Sequence, residues 1–303
     1  MREYGFIQAD VFTDRPFTGN PLAIFPDAHG LTSDEMQSIA KEMNLSETTF
    51  VLPPTERKAQ FRLRIFTPAA ELPLAGHPVV GTFFVLARRG RIPLEDGTNR
   101  IFQECKAGVL PVDILVVDGA VDGVVMTQSP PRFFDECHDR ALLAAAVGLS
   151  EDQLLPDDLP AQAVSTTVPQ LMVPSRSLAQ LGKIELDLVA LRKVLRDTGT
   201  DSFMIFSREC VKPESTVHAR MFAPTLGVIE DPATGSAAGA LGAYLVARGL
   251  ARAEPTARII VEQGYEMGRP SAIHVEVDAD RDGPKEVRVG GRAVEVAEGV
   301  LRF

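Results

Sequence analysis

The side chains best placed to do chemistry in this chain sit at turns. Glu47 follows Asn44-Leu45-Ser46, where a helical pattern gives way to the apolar run ETTFVL. A partly desolvated carboxylate with a raised pKa at such a junction can exchange protons near neutrality. It could equally be the capping or surface acid of a turn. His77 follows Gly76 in LAGHP, at the head of a helix-length apolar segment. The dipole of a helix start disfavours imidazolium there, so a neutral histidine that donates a hydrogen bond is expected, structural or catalytic. Asp231 precedes PATGS, and its carboxylate could cap that turn or orient a substrate amine or hydroxyl. Gly76, Gly235 and Ser236 belong to two small-residue turns, each opening an apolar segment. Backbone N–H groups at such a start can hold a carboxylate or phosphate. The alternative is that the glycines only permit tight turns and Ser236 is only an N-cap.

Other chemistries lack their residues. His29, His138, His218 and His274 share no metal-ligand spacing, and Cys105, Cys137 and Cys210 form neither a CxxC pair nor a disulfide framework. There is no GxGxxG after a strand, no GxxxxGK[ST] and no GxSxG, so nothing calls for a dinucleotide, ATP or a serine nucleophile. The expectation is an activity without cofactor or metal.

The elements around these residues occur twice. Arg64-Ile65-Phe66-Thr67-Pro68 returns as Arg220-Met221-Phe222-Ala223-Pro224, 156 positions later. Beyond four extra residues the offset reads as 160, matching Glu71 with Asp231, Gly76 with Ser236 and Ala87-Arg88 with Ala247-Arg248. Each copy runs β-rich segment, proline, acidic loop, small-residue turn, then an apolar helix closed by basic residues and glycine. Both helices are apolar on most faces and should be buried at the centre of their domains. The fold class is therefore α+β: mixed or antiparallel sheets wrapped around a central helix, twice. A boundary near Ser129-Pro130-Pro131 gives domains 1–128 and 129–303, with a final strand able to join either. A helix ALLAAAVG and an acidic loop EDQLLPDDLP should follow the boundary. The repeated turns are expected to face one another across a cleft, a common place for a small-molecule site.

Length and composition agree. A chain of 303 residues is long enough for two domains, and 45% hydrophobic with 24% charged residues is ordinary for a globular protein. A net charge of -10 and no Lys/Arg-rich stretch argue against nucleic acid as partner. No apolar run approaches the length that spans a bilayer, and the start MREYGFIQADVF does not read as a signal peptide. A cytoplasmic protein with a small anionic metabolite as partner, and no membrane, is the plain expectation.

Taken together, Phe17-Thr18-Gly19-Asn20-Pro21, Asn44-Leu45-Ser46-Glu47-Thr48, Arg64-Ile65-Phe66-Thr67-Pro68, Ala75-Gly76-His77-Pro78 and Glu230-Asp231-Pro232-Ala233-Thr234-Gly235-Ser236-Ala237 resemble the PhzF (phenazine biosynthesis-like) family across nearly the whole chain. The resemblance implies the diaminopimelate epimerase-like fold, two similar domains each with a barrel-like sheet around a central helix. The epimerase uses one cysteine at the start of each central helix. Here Ala75-Gly76-His77 and Thr234-Gly235-Ser236 contain none, which argues against two-thiol racemisation. By resemblance Glu47 is the proton shuttle, His77 and Asp231 assist and bind substrate, and Gly76, Gly235, Ser236 and Ala237 bind the substrate carboxylate. A cofactor-independent isomerase of a small carboxylate-bearing metabolite is the expected function. A dehydratase or epimerase in the same pocket, or a non-catalytic anion-binding protein, are the alternatives. The family also implies a homodimer, which light scattering checks against the 32.8 kDa of one chain.

Overall fold

In the computed structural model, which describes residues 1–303 apart from Leu155 and Asp157, the chain divides into two compact units. The first is Met1–Thr127 with Gly290–Phe303, the second Gln128–Val289. Both are sheet-rich α+β structures. Among the described residues no helix is long and apolar enough to cross a membrane.

The first unit opens with β1 (Glu3–Val11) and β2 (Asn20–Phe25), an antiparallel pair. Helix α1 (Ser33–Met43) follows, started by a capping box in which Thr32 and Glu35 satisfy each other's backbone N–H groups. Asn44 ends it in the left-handed conformation at φ 50° and turns the chain into β3 (Glu47–Leu52). Strand β3 runs parallel to β2 and antiparallel to β4 (Phe61–Phe66). The two-residue β5 (Glu71–Leu72) and then α2 (Gly76–Arg88) come next. Strands β6 (Gly97–Cys105), β7 (Gly108–Val117) and β8 (Ala120–Thr127) form an antiparallel meander, joined to β4 through a parallel β4–β6 pairing.

Alternation along the strands separates two faces. Phe25, Phe50 and Phe66 point toward α1, where Met36, Ile39 and Ala40 cover them. Phe25 stacks on Phe50 at 5.1 Å, and Phe50 meets Phe66 edge-on. Thr49, one residue out of phase with Phe50, hydrogen-bonds Thr82 of α2 at 2.9 Å. From His77 to Ala87 every residue of α2 is buried, as expected for a helix without a polar face. A Cβ at Gly81 would come within 2.5 Å of Val11 and 2.8 Å of Leu22, so this helix lies close on β1 and β2.

The second unit repeats this order. It begins with β9 (Arg132–Cys137), α3 (Arg140–Ala146) and α4 (Glu151–Leu154). Of the expected acidic loop 151–160, Leu155 and Asp157 lie outside the described residues. Strands β10 (Ala161–Ser165) and β11 (Pro169–Pro174) form a hairpin, followed by α5 (Leu178–Leu181) and α6 (Leu188–Thr198). Strand β12 (Ser202–Ser207) is parallel to β11 and antiparallel to β13 (Val217–Ala223). After β14 (Val228–Asp231) comes α7 (Gly235–Ala247), the second buried helix. Strand β15 (Thr256–Gln263) pairs parallel with β13 and antiparallel with β16 (Ser271–Asp280). Strand β17 (Gly283–Gly291) leads to β18 (Ala293–Arg302), which pairs antiparallel with β1 in the first unit.

The duplication is thus carried by pairing patterns as well as by sequence, with one correction of register. The helix starts Gly76 and Gly235, and the C-caps Arg89 and Arg248, stand 159 positions apart. The offset of 160 expected from sequence is one too many. Arg64 grips Glu71 through two hydrogen bonds of 2.8 and 2.9 Å, and Arg220 grips Glu230 through two of the same lengths. The counterpart of Glu71 is therefore Glu230, not Asp231, and His77 corresponds to Ser236. Glycine and alanine on both sides of the turn make a one-residue slip invisible in the sequence.

Candidate active site

Three chain segments converge in the first unit, each at the first or second residue of its element. Glu47 begins β3, shares the α2-facing side of the strand with Thr49, and keeps 16% of its side chain exposed. His77 is the second residue of α2 and is buried. Its Nε2 lies 3.1 Å from Oε2 of Glu47. Asn20 begins β2, is wholly buried, and places its side-chain amide 3.3 Å from Nδ1 of the same ring.

The turn delivering Asn20 is held tightly. Gly19 has φ 62°, and a Cβ there would meet the carbonyl oxygen of Val11 at 2.2 Å. The buried Asp10 carboxylate accepts the backbone N–H of Phe17 at 2.6 Å, and the hydroxyls of Thr13 and Thr18 lie 2.5 Å apart.

The electrostatics of His77 are set by burial, which pushes its pKa down to about 3. A carboxylate at 3.1 Å pulls the other way, but desolvation and the positive end of α2 both disfavour imidazolium. The downward direction is the physically consistent one. At neutral pH the ring is neutral and can give one hydrogen bond while accepting another.

In the second unit the turn before α7 is built around Asp231. The Thr234 hydroxyl donates to its carboxylate. Gln263, wholly buried, donates from Nε2 to the backbone carbonyl of Asp231 at 2.6 Å and to the Thr234 hydroxyl at 3.1 Å, and accepts the Thr234 N–H at 3.2 Å. Gly235 and Ala237 are buried and Ser236 is half-buried.

The two buried helices begin differently from α1, α3 and α6. Those three each have an N-cap side chain, Thr32, Asp139 and Asp187, that accepts a backbone N–H of the first turn. The N-caps of α2 and α7, Ala75 and Thr234, supply no such bond. A helix start without a side-chain cap leaves donors and the dipole available to an anion.

The structure therefore brings Glu47, His77 and Gly76 together in the first unit, and Asp231, Gly235, Ser236 and Ala237 together in the second. Sequence reasoning passed over Asn20 and Gln263. Asn20 belongs to the Phe17–Pro21 stretch that resembles the family, but an amide in a Gly-Asn-Pro turn carries no acid–base signal, and Gln263 ends an ordinary strand pattern. His218, which shares no metal-ligand spacing with the other histidines, is fully buried between Glu262 and Glu266. Among the described residues no group of three or more His, Cys, Asp or Glu could hold a metal ion. A groove of about 590 Å³ lies at the other end of α2, beside Arg88, Ile92 and Asp96, away from Asn20, Glu47, Gly76 and His77.

Comparison with known proteins gives a consistent picture. Residues 9–299 match the family described as phenazine biosynthesis-like protein. The trans-2,3-dihydro-3-hydroxyanthranilate isomerase of Pseudomonas aeruginosa is 35% identical over 295 residues, covering 97% of this chain and 98% of the relative. An uncharacterized isomerase of Clostridium acetobutylicum is 34% identical over 304 residues, covering 99% of each. Among solved structures, the phenazine biosynthesis protein of the PhzF family from Bacillus anthracis superposes with a TM-score of 0.90 at 32% identity over 100% of both chains. A hydroxyproline epimerase from Agrobacterium vitis shares the fold at 13% identity and a TM-score of 0.62, covering 99% of this chain and 92% of its own.

Proposed function

Because the chain belongs to the phenazine biosynthesis-like (PhzF) family, we propose that it is an isomerase that moves a proton on a small carboxylate-bearing metabolite, without cofactor or metal. The reading rests chiefly on the Glu47–His77 contact, a largely desolvated carboxylate 3.1 Å from an imidazole whose pKa burial holds near 3. A base in such surroundings can take a proton from carbon next to an unsaturated or carboxylated system. The electron pair of the broken C–H bond delocalises into that system, and Glu47 returns the proton to another carbon, so the formula is unchanged. His77, neutral, serves as hydrogen-bond donor and not as a second base. Gly76 at the uncapped start of α2 is a donor for negative charge. Asp231 assists in substrate binding, and Gly235, Ser236 and Ala237 bind the substrate carboxylate through the start of α7. Each sheet closes as a barrel around its buried helix in this reading.

The substrate named for the Pseudomonas relative, trans-2,3-dihydro-3-hydroxyanthranilate, is the first compound to try. The test incubates it and a panel of small carboxylates with wild type and Glu47→Gln in deuterium oxide. Product formation is followed by chromatography and label by mass spectrometry. A mass-neutral product or label formed only by wild type supports the proposal. Equal turnover by Glu47→Gln removes Glu47 from the proton path. Neither product nor label from any compound or from a metabolite extract favours a binding role.

A further inference from the structure

A neutral imidazole carries one N–H and one lone pair, and its hydrogen-bond partners decide which nitrogen has which. Two arrangements are open to His77. In the first, the Asn20 amide donates from Nδ2 to Nδ1 across 3.3 Å, and the ring proton sits on Nε2, the nitrogen 3.1 Å from Glu47 Oε2. In the second, the amide is turned round, its oxygen accepts a proton on Nδ1, and the Nε2 lone pair faces a carboxylate. The second places a lone pair against an anion in a desolvated site and is tolerable only when Glu47 is protonated.

We infer that Asn20 is a positioning residue that fixes His77 with its proton on Nε2, so that His77 can hydrogen-bond Glu47 but cannot take its proton. The loop before Asn20 suits that task. Gly19 in the left-handed conformation, the Asp10 carboxylate on the Phe17 N–H and the adjoining hydroxyls of Thr13 and Thr18 fix the backbone that delivers Asn20 to the ring. The parallel pairing of Leu22 with Glu47 ties the strand that Asn20 opens to the strand that Glu47 opens.

The consequence is a site with a single proton carrier. With Nε2 already protonated, the proton that Glu47 takes from one carbon has no outlet through the imidazole and is returned to the substrate. This catalytic meaning rests on the reading of Glu47 proposed above; the tautomer itself does not.

The test is ¹⁵N–¹H NMR of the full-length protein labelled at histidine, at pH 7. Wild type is expected to show His77 protonated on Nε2 and bare on Nδ1, assigned by the loss of these signals in His77→Gln. Asn20→Asp puts an acceptor-only carboxylate beside Nδ1 and is expected to bring a proton there. Asn20→Leu removes the hydrogen bond at similar volume. It is expected to lower kcat about 10-fold with KM within about 2-fold, the effect of one hydrogen bond of about 1.4 kcal/mol. Wild-type protein with the proton on Nδ1, or spread over both nitrogens, overturns the inference even if the variants do not fold. So does an Asn20→Asp protein that keeps the proton on Nε2 alone. Failure of the Glu47 reading looks different: Glu47→Gln would turn over like wild type while the proton still sits on Nε2.

Discussion

His77 in the first unit and His218 in the second are both buried beside glutamate, yet they are held in opposite charge states. His77 has one carboxylate at 3.1 Å, an amide at its other nitrogen and a helix start beneath it, and burial drives its pKa to about 3. Burial also acts against the charged form of His218. There it is outweighed by hydrogen bonds to Glu262 at 2.7 Å and Glu266 at 3.0 Å, and the pKa rises to about 9. Burial alone thus does not fix the charge of a histidine; the number of carboxylates it must compensate does. In the first unit the result is a neutral imidazole beside Glu47. In the second it is a cation locking a strand to a loop, because Glu262 also accepts the N–H groups of Val211 and Lys212.

The place of His218 in the repeat sharpens the contrast. His218 stands opposite Glu262 in a parallel pair, as Arg62 stands opposite Glu104 in the other unit. Likewise Ser202, which begins β12 opposite Gln170, occupies the position that Glu47 takes at the head of β3 opposite Leu22. One unit has a carboxylate at that position and the other a hydroxyl donating to Gln170 at 3.0 Å. Glu47→Gln should therefore lower turnover at least about 10³-fold, as expected for loss of the acid–base group. Ser202→Ala should change it less than about 2-fold. Parallel kinetics of the two variants check this, and equal losses would erase the functional difference between the units.

The latches come next in size. Removing His218 leaves Glu262 buried and charged without its cationic partner, so His218→Leu should cost about 3 kcal/mol of unfolding free energy. Arg62 lies 3.3 Å from Glu104 with 39% of its side chain exposed. Glu104 keeps the N–H groups of Thr55 and Glu56 and the Thr55 hydroxyl, so Arg62→Leu should cost less than about 1 kcal/mol. Urea unfolding of both variants measures the pair. Similar costs would mean that His218 is no more than a replaceable surface pair.

Opposite charge states also predict opposite pH slopes. His77 has a folded pKa of about 3, below its ordinary value near 6.5. The unfolded chain binds that proton first, so stability is fully present above pH 6.5 and falls as the pH drops toward 3. The slope approaches about 1.4 kcal/mol per pH unit. His218, raised to about 9, contributes stability that is fully present below pH 6.5 and is lost as the pH rises through 9. Unfolding free energy measured from pH 4 to 10 should lose part of its acid slope in His77→Gln and part of its alkaline slope in His218→Arg. An unchanged slope in either variant would refute the assigned charge state.

Much of this arrangement is legible in the sequence because it is local. The Thr32–Glu35 box, the apolar helices after LAGHP and PATGS, and the strands FRLRIF and TVHARMFA follow from spacing within a dozen residues. What escaped depends on distance along the chain. Asn20 and His77 are 57 positions apart and His218 and Glu262 are 44 apart. No periodicity joins residues that meet only through the tertiary fold. The one-residue error in the repeat has a related cause: the Arg64–Glu71 and Arg220–Glu230 clamps fix the register, while the small residues after them do not.

The smallest expected effect tests the missing caps. Ala75 begins α2 without a side-chain acceptor, whereas Asp187 begins α6 by accepting the N–H groups of Val189 and Ala190 at 2.9 and 3.0 Å. If the α2 start is kept open for an anionic ligand, Ala75→Asp should trade binding for stability. An aspartate cap would satisfy a first-turn N–H and add about 0.5–1 kcal/mol to unfolding free energy. The same carboxylate would compete for those donors and repel the substrate anion, raising KM about 5- to 10-fold at low ionic strength and less in salt. Thermal unfolding and KM at two salt concentrations separate the effects. A more stable protein with unchanged KM would show that the α2 start is uncapped for reasons unrelated to the ligand. The missing cap would then no longer distinguish the buried helices from the capped ones outside them.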